Sequence, residues 1–291
     1  MLETLHLNFT TSQKYGTIEN INLGGIFMKK LIRTACVGLA AVLAALSFAG
    51  CGSEKTTSEA SGKTDAKVWV VATDTTFKPF EYTDSTGAFV GIDVDILKAI
   101  AEDQGFKYEL KSLGWDASIA ACQAGQADAM IAGASITEKR KNEGWIFSDG
   151  YYTATQSMTV AKDSDITGFD SLKGKTVAVK TGTEGATYAE SLKDKYGFKI
   201  NYFKDSPTMY QAVTGKQAVA CFEDTPIMAA TIKDNANLGL KIVEGTENAG
   251  SPYGLAIHKA DRQEFLDLFN KGLKNIKANG KYDEILKKYL G

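Results

Sequence analysis

From residue 68 to the C-terminus, short runs of β-branched and aromatic residues alternate with longer stretches whose apolar positions recur every three or four residues. The short runs predict strands at 69–72, 108–113, 127–132, 156–161, 176–179, 199–203, 218–222 and 253–257. The longer stretches predict helices at 93–103, 117–123, 185–196, 208–214, 226–234, 262–278 and 282–290. In the first of these, Ile96, Leu97, Ile100 and Ala101 fall on one face. Strands separated by helix-length segments argue for parallel sheets and an α/β fold. Two stretches, 70–103 and 177–196, share the order strand, polar or glycine-bearing loop, helix, without a residue-level repeat. Open α/β sheets bind ligands beyond the carboxyl ends of their strands, which singles out the loops 73–79, 133–140, 180–185 and 223–226.

The first fifty residues follow a different pattern. Met28-Lys29-Lys30-Leu31-Ile32-Arg33 precedes an apolar, alanine-rich run at 34–49 that ends in Phe48-Ala49-Gly50-Cys51. A basic n-region, an apolar h-region and small residues at the cut site predict a signal peptide over 28–50. A transmembrane anchor would need about 20 apolar residues, more than this run supplies. Residues 1–27 are polar and precede the n-region, so translation is expected to start at Met28. Gly24-Gly25 fits this start, because two glycine codons read GGNGGN, a purine-rich ribosome-binding pattern at the right spacing. Ala49-Gly50 before Cys51 resembles a bacterial lipobox, with Phe48 departing from the usual aliphatic residue, so Cys51 is the expected lipidation site. Secretion with cleavage and no lipid is the alternative. Residues 52–67 (GSEKTTSEASGKTDAK) lack the apolar content to offset their own ordering entropy, and 51–67 would form a tether. Two acyl chains on one cysteine anchor a protein stably.

Composition changes this picture little. The chain has 291 residues, 44% hydrophobic and 23% charged, with 33 basic and 35 acidic side chains. A formal charge of −2 offers no field for a nucleic-acid backbone, so nucleic acid is not an expected partner. Cleavage before Cys51 removes Lys14, Lys29, Lys30 and Arg33 against Glu3 and Glu19, which makes the remainder more acidic. With Cys51 lipidated, only Cys122 and Cys221 would be left, too few for a disulfide framework, and both read as buried small hydrophobes.

Five stretches carry chemistry. They are Ala72-Thr73-Asp74-Thr75-Thr76-Phe77-Lys78-Pro79-Phe80-Glu81, Gly91-Ile92-Asp93-Val94-Asp95, Ala132-Gly133-Ala134-Ser135-Ile136-Thr137-Glu138-Lys139-Arg140, Phe147-Ser148-Asp149-Gly150-Tyr151-Tyr152 and Val179-Lys180-Thr181-Gly182-Thr183. In this order, over residues 68–290, the chain resembles the polar amino acid solute-binding proteins of ABC transporters, and the glutamine-binding members most. The resemblance implies a two-lobed type II periplasmic-binding-protein fold, each lobe a mainly parallel sheet flanked by helices. Lobe 1 would comprise 68–150 and 254–291, lobe 2 would comprise 155–250, and 151–154 and 251–253 would be the hinges. It further implies a monomer without cofactor or metal, lipid-anchored outside the cell membrane, that hands a free L-amino acid to a permease.

The resemblance also assigns residues. Arg140 would clamp the ligand's carboxylate, for which a planar guanidinium suits. Asp224 would take the ammonium; Gly133, Ser135 and Thr183 would add backbone or hydroxyl hydrogen bonds; Phe77 and Trp115 would wall the side chain. Taken alone, Arg140 reads as part of a solvated Glu-Lys-Arg-Lys helix start, and Phe77 and Trp115 read as core. Asp74 by itself would favour a cationic ligand, whereas Lys180 beside it would favour glutamine or another neutral polar amino acid. Glu223 pulls towards basic amino acids, unless its carboxylate caps the helix begun by Thr225-Pro226. Two other classes fit the residues less well, and an enzyme is not expected. An enzyme such as the prephenate or arogenate dehydratases of this fold would use Glu223 as a raised general acid, although a single histidine, His258, follows the signal peptide. A sensory module would need a further domain beyond Leu290-Gly291.

Overall fold

The computed structural model describes residues 67–291. The expected untranslated extension, signal peptide, Cys51 and tether up to 66 lie outside them. Two five-stranded sheets organise what is described. The first orders its strands Lys107–Ser112, Val68–Thr73, Ala129–Met130, Ala256–Ile257 and Ile146–Phe147. The second orders Lys199–Phe203, Thr176–Lys180, Ala220–Asp224, Gln156–Ala161 and Leu240–Ile242. The shared strand–loop–helix grammar of the sequence thus corresponds to two sheets built on one plan.

Successive side chains of the central strands enter different cores. Trp69 and Val71 pack with Ile96, Ile100, Phe265 and Phe269, whereas Ala72 packs with Trp115, Cys122 and Met130. In the second sheet Val177 and Val179 face Ala186 and Phe222, whereas Ala178 faces Met209 and Val213. Helices cover both faces, which is why these strands read as continuous apolar runs.

Each sheet is mainly parallel, as expected, with one antiparallel member. Ala256–Ile257 runs antiparallel to both its neighbours in the first sheet, as Gln156–Ala161 does in the second. Each is the strand that the chain enters just after crossing from the other sheet, so it arrives from the opposite direction. The crossings themselves, Tyr152–Ala154 and Ser251–Tyr253, pair antiparallel, with Tyr253 opposite Tyr152 and Ser251 opposite Ala154. The lobes are therefore joined by a two-stranded ribbon.

Other departures have local causes. The apolar run at 253–257 breaks at Gly254 and Leu255, because Tyr253 belongs to the ribbon and Ala256 to the sheet. The run at 127–132 pairs as a strand only at Ala129–Met130. Three short strands, Thr76–Phe77, Glu81–Thr83 and Phe89–Val90, form a separate small sheet. At its end Gly91 sits at φ 145°, and a Cβ there would lie 1.9 Å from the Phe80 carbonyl oxygen. Only glycine lets helix Ile92–Gln104 start that close to the small sheet. Cys122 and Cys221 are buried free thiols, and burial pushes the Cys122 thiol up to about 12. No helix among the described residues is long and apolar enough to cross a membrane.

Candidate functional site

A cavity lies between the two sheets, lined by Asp74, Phe77, Trp115, Gly133, Ser135, Arg140, Lys180, Thr183, Glu223 and Asp224, together with Ala132 and Glu184. All ten residues singled out from the sequence meet here. Among the described residues no group of three or more His, Cys, Asp or Glu is placed to hold a metal ion.

Each wall follows from its local sequence. Asp74 follows the first strand and Lys180 ends the strand Thr176–Lys180, so the carboxyl ends of two central strands face one another. Lys180 Nζ donates to Asp74 Oδ2 in a buried ion pair that joins the two sheets' loops. The ammonium also lies 5.4 Å from the centroid of Phe77 and 5.8 Å from that of Trp115. An ammonium taken from water needs such partners.

Arg140 sits in the short helix Glu138–Asn142, whose first turn is capped by Thr137 accepting from the Arg140 N–H at 3.3 Å. Lys139 and Lys141 are exposed, while Arg140 turns inward. The charge run is thus solvated on one side and buried at one residue. Nη1 of Arg140 donates to the Ser135 carbonyl at 2.8 Å, and Nη2 donates to the Gly182 carbonyl at 3.2 Å. Nη2 also lies 3.7 Å from Glu184 Oε1, and the guanidinium stacks 5.2 Å from the Trp115 ring. Burial lowers the Arg140 pKa and Glu184 opposes that shift. The Trp115 indole N–H is buried without a partner among the described residues.

The second lobe supplies the carboxylates. Asp224 receives the amide of Gln156 on Oδ1 at 2.5 Å and the hydroxyl of Tyr253 on Oδ2. Gln156 is itself held by Asn248, which donates to its Oε1 at 2.6 Å. Burial and the neighbouring Glu223 push the Asp224 carboxyl up to about 7, against lowering by Tyr253, Gln156 and Arg140. Glu223 does not cap helix Thr225–Asp234; Asp224 occupies the N-cap position, without a side-chain cap. The Glu223 carboxylate instead accepts from Ser206 at 2.7 Å and Tyr210 at 3.0 Å, and its Oε1 accepts from the Asp224 N–H at 3.0 Å. Both oxygens are therefore engaged within the second lobe.

Two of the expected hydrogen-bonding groups are already occupied. The Gly133 N–H donates to Asp93 at 2.8 Å. A Cβ on Gly133, at φ 55°, would lie 2.4 Å from a Phe77 ring carbon, so glycine is needed there. The Thr183 hydroxyl donates to the Lys180 carbonyl at 2.8 Å and accepts from the Ala186 N–H at 3.3 Å as the N-cap of helix Glu184–Tyr196. Asp93 additionally accepts from Tyr151, the residue before the first crossing, at 2.8 Å. Burial drives Asp93 up to about 7, and burial together with the neighbouring Asp93 raises Glu81 well above its ordinary value. Glu184 and Gln156 had no sequence signal for this site beyond their type, because their partners are far along the chain.

Residues 69–291 match the profile of the bacterial extracellular solute-binding proteins, family 3. The chain belongs to that family. It is 32% identical over 255 residues to the probable histidine-binding protein of Neisseria gonorrhoeae, covering 87% of this chain and 94% of that one. It is 32% identical over 280 residues to an ABC transporter glutamine-binding protein of Bacillus subtilis, covering 90% and 98%. An ancestral arginine-binding protein, solved once with arginine and once with glutamine, superposes with a TM-score of 0.71 at 37% identity, covering 77% of this chain and 98% of that one. The fold of this family 3 protein is the two-lobed type II arrangement, and its class of ligand is a polar amino acid.

Proposed function

We propose that this family 3 protein captures a polar amino acid with a neutral side chain, glutamine first, and delivers it as a monomer to an ABC-transporter permease. It would do so outside the cell membrane, held there by the lipid on Cys51, with the ribbon 151–154 and 251–253 as the hinge that lets the lobes close. The observation that carries the glutamine reading is the buried Lys180–Asp74 ion pair. It cancels the one charge at the side-chain end that would recruit a cation, and it leaves a donor and an acceptor side by side, as a carboxamide requires. Arg140 and Asp224 stand for the carboxylate and ammonium ends. The engagement of Glu223 by Ser206 and Tyr210 also weakens its pull on a cationic ligand.

A second reading, a basic amino acid, is favoured by charge. Asp74, Glu184, Glu223 and Asp224 face only Arg140 and Lys180 around the cavity. Calorimetric titration with the twenty amino acids separates the two. Glutamine is expected to bind with the highest affinity; absence of heat with glutamine, alongside nanomolar arginine binding, reverses the order.

The site also predicts a proton count. Asp224 titrates near 7 because burial and Glu223 oppose its charge. An ammonium beside it favours the carboxylate, so binding expels the proton from the fraction of molecules that carry one. Affinity is then expected to rise with pH between about 5.5 and 7.5, by up to about tenfold per pH unit at the acidic end. Titrations at pH 6 in two buffers of different ionisation enthalpy are expected to give different apparent heats. Asp224→Asn is expected to abolish that difference; equal heats for the unaltered protein would contradict the assignment.

A further inference from the structure

Glu184 is a carboxylate where the proposed ligand's own carboxylate would be received. It is the first residue of helix Glu184–Tyr196. An acid at that position is ordinarily solvated and interacts with the positive end of the helix dipole. Here the side chain is only 15% exposed, lines the cavity, and reaches across to the other lobe, with Oε1 3.7 Å from Arg140 Nη2. The Arg140 guanidinium is itself only 11% exposed, and its other partners, the Ser135 and Gly182 carbonyls, are uncharged. Among the described residues Glu184 is thus the carboxylate within ion-pair distance of Arg140.

We propose that Glu184 is an affinity-setting residue, a tethered carboxylate that competes with the ligand's carboxylate for Arg140. This rests on the reading of Arg140 as the carboxylate clamp. A second carboxylate entering within ion-pair distance of the same guanidinium either displaces Glu184 or shares the charge with it, and both outcomes oppose binding. The penalty falls on ligands that carry a carboxylate and spares analogues in which that group is an uncharged amide. Glu184 therefore lowers the absolute affinity and narrows the preference for free acids over amides. Weaker capture speeds release, which suits a protein that must surrender its cargo.

The test uses Glu184→Gln, which keeps the shape and removes the charge, with L-glutamine and L-arginine as probes and L-glutaminamide and L-argininamide as controls. The dissociation constant of the amino acid that binds is expected to fall about tenfold, while that of its amide changes less than about twofold. Loss of the helix-terminal charge is expected to lower the melting temperature slightly, so tighter binding would accompany lower stability, which a purely structural role does not produce. Glu184→Asp keeps the terminal charge and withdraws the carboxylate from Arg140; it carries the test if the glutamine variant fails to fold, with an expected gain of a few fold. Unchanged or weaker amino-acid binding in both variants overturns the proposal, as does an equal gain for acid and amide. Arg140→Ala run alongside separates the two readings. If it loses binding while the Glu184 variants match the unaltered protein, only the role of Glu184 fails; if it binds normally, the clamp fails and the competition with it.

Discussion

Arg140→Ala is expected to raise the dissociation constant of the captured amino acid about a thousandfold while leaving the melting temperature within a few degrees of the unaltered protein. Removing one member of a buried, hydrogen-bonded charge pair costs about 2–5 kcal/mol, much of it from the partner left unpaired. The ligand's carboxylate would be that partner. The guanidinium contacts the Ser135 and Gly182 carbonyls, Glu184 and the Trp115 face. The helix that carries it has no buried residue, so alanine removes no core packing. Calorimetry reads the binding and circular dichroism the fold. Affinity within threefold of the unaltered protein would remove Arg140 from the site.

Lys180→Met is expected to exchange the preference of the site. Methionine keeps most of the length of the side chain and its contact with Phe77 and Trp115, but leaves Asp74 buried without its cation. Breaking a buried ion pair from one side costs about 3–5 kcal/mol. A ligand that brings its own cation recovers part of this, whereas a carboxamide does not. Glutamine affinity is expected to fall about a hundredfold, and arginine or lysine is expected to bind more tightly than glutamine. The ratio of the two dissociation constants is the readout, since a general loss of stability weakens both. If glutamine remains preferred in the variant, the ion pair does not set the choice.

The parts of this site that were legible in the sequence are those that chemistry holds close to one strand end. Asp74, Lys180 and the Glu223-Asp224 pair each terminate or follow a strand, and the short glycine-bearing loops bring them to one place. Gly133 and Gly182 mark turns with φ of 55° and 70°, a requirement of the local backbone. What was not legible depends on contacts between lobes. Glu184 reads as an ordinary helix-start acid until the helix is set opposite Arg140. Gln156 reads as the polar start of a strand, and its bond to Asp224 spans 68 residues. The strands of the small sheet, two or three residues each, are too short to show a period. The antiparallel member of each sheet was missed for a related reason, because strand direction is decided by where the chain comes from.

The bonds that Asp224 accepts define a fulcrum. Gln156 opens the strand after the first crossing and Tyr253 closes the second, and the two donate to opposite oxygens of one carboxylate. A group bonded to one arm of the ribbon and to the strand that follows the other arm lies beside the proposed hinge, so its displacement on bending would be small. Lys78 and Asp234, bonded at 2.6 Å across the lobes and exposed to solvent, hold the outer end of the lever. Rotation by a given angle parts such rim contacts widely and shifts Asp224 little. On the proposed reading, the ammonium end of a captured amino acid would keep its seat through a swing that uncovers the rest.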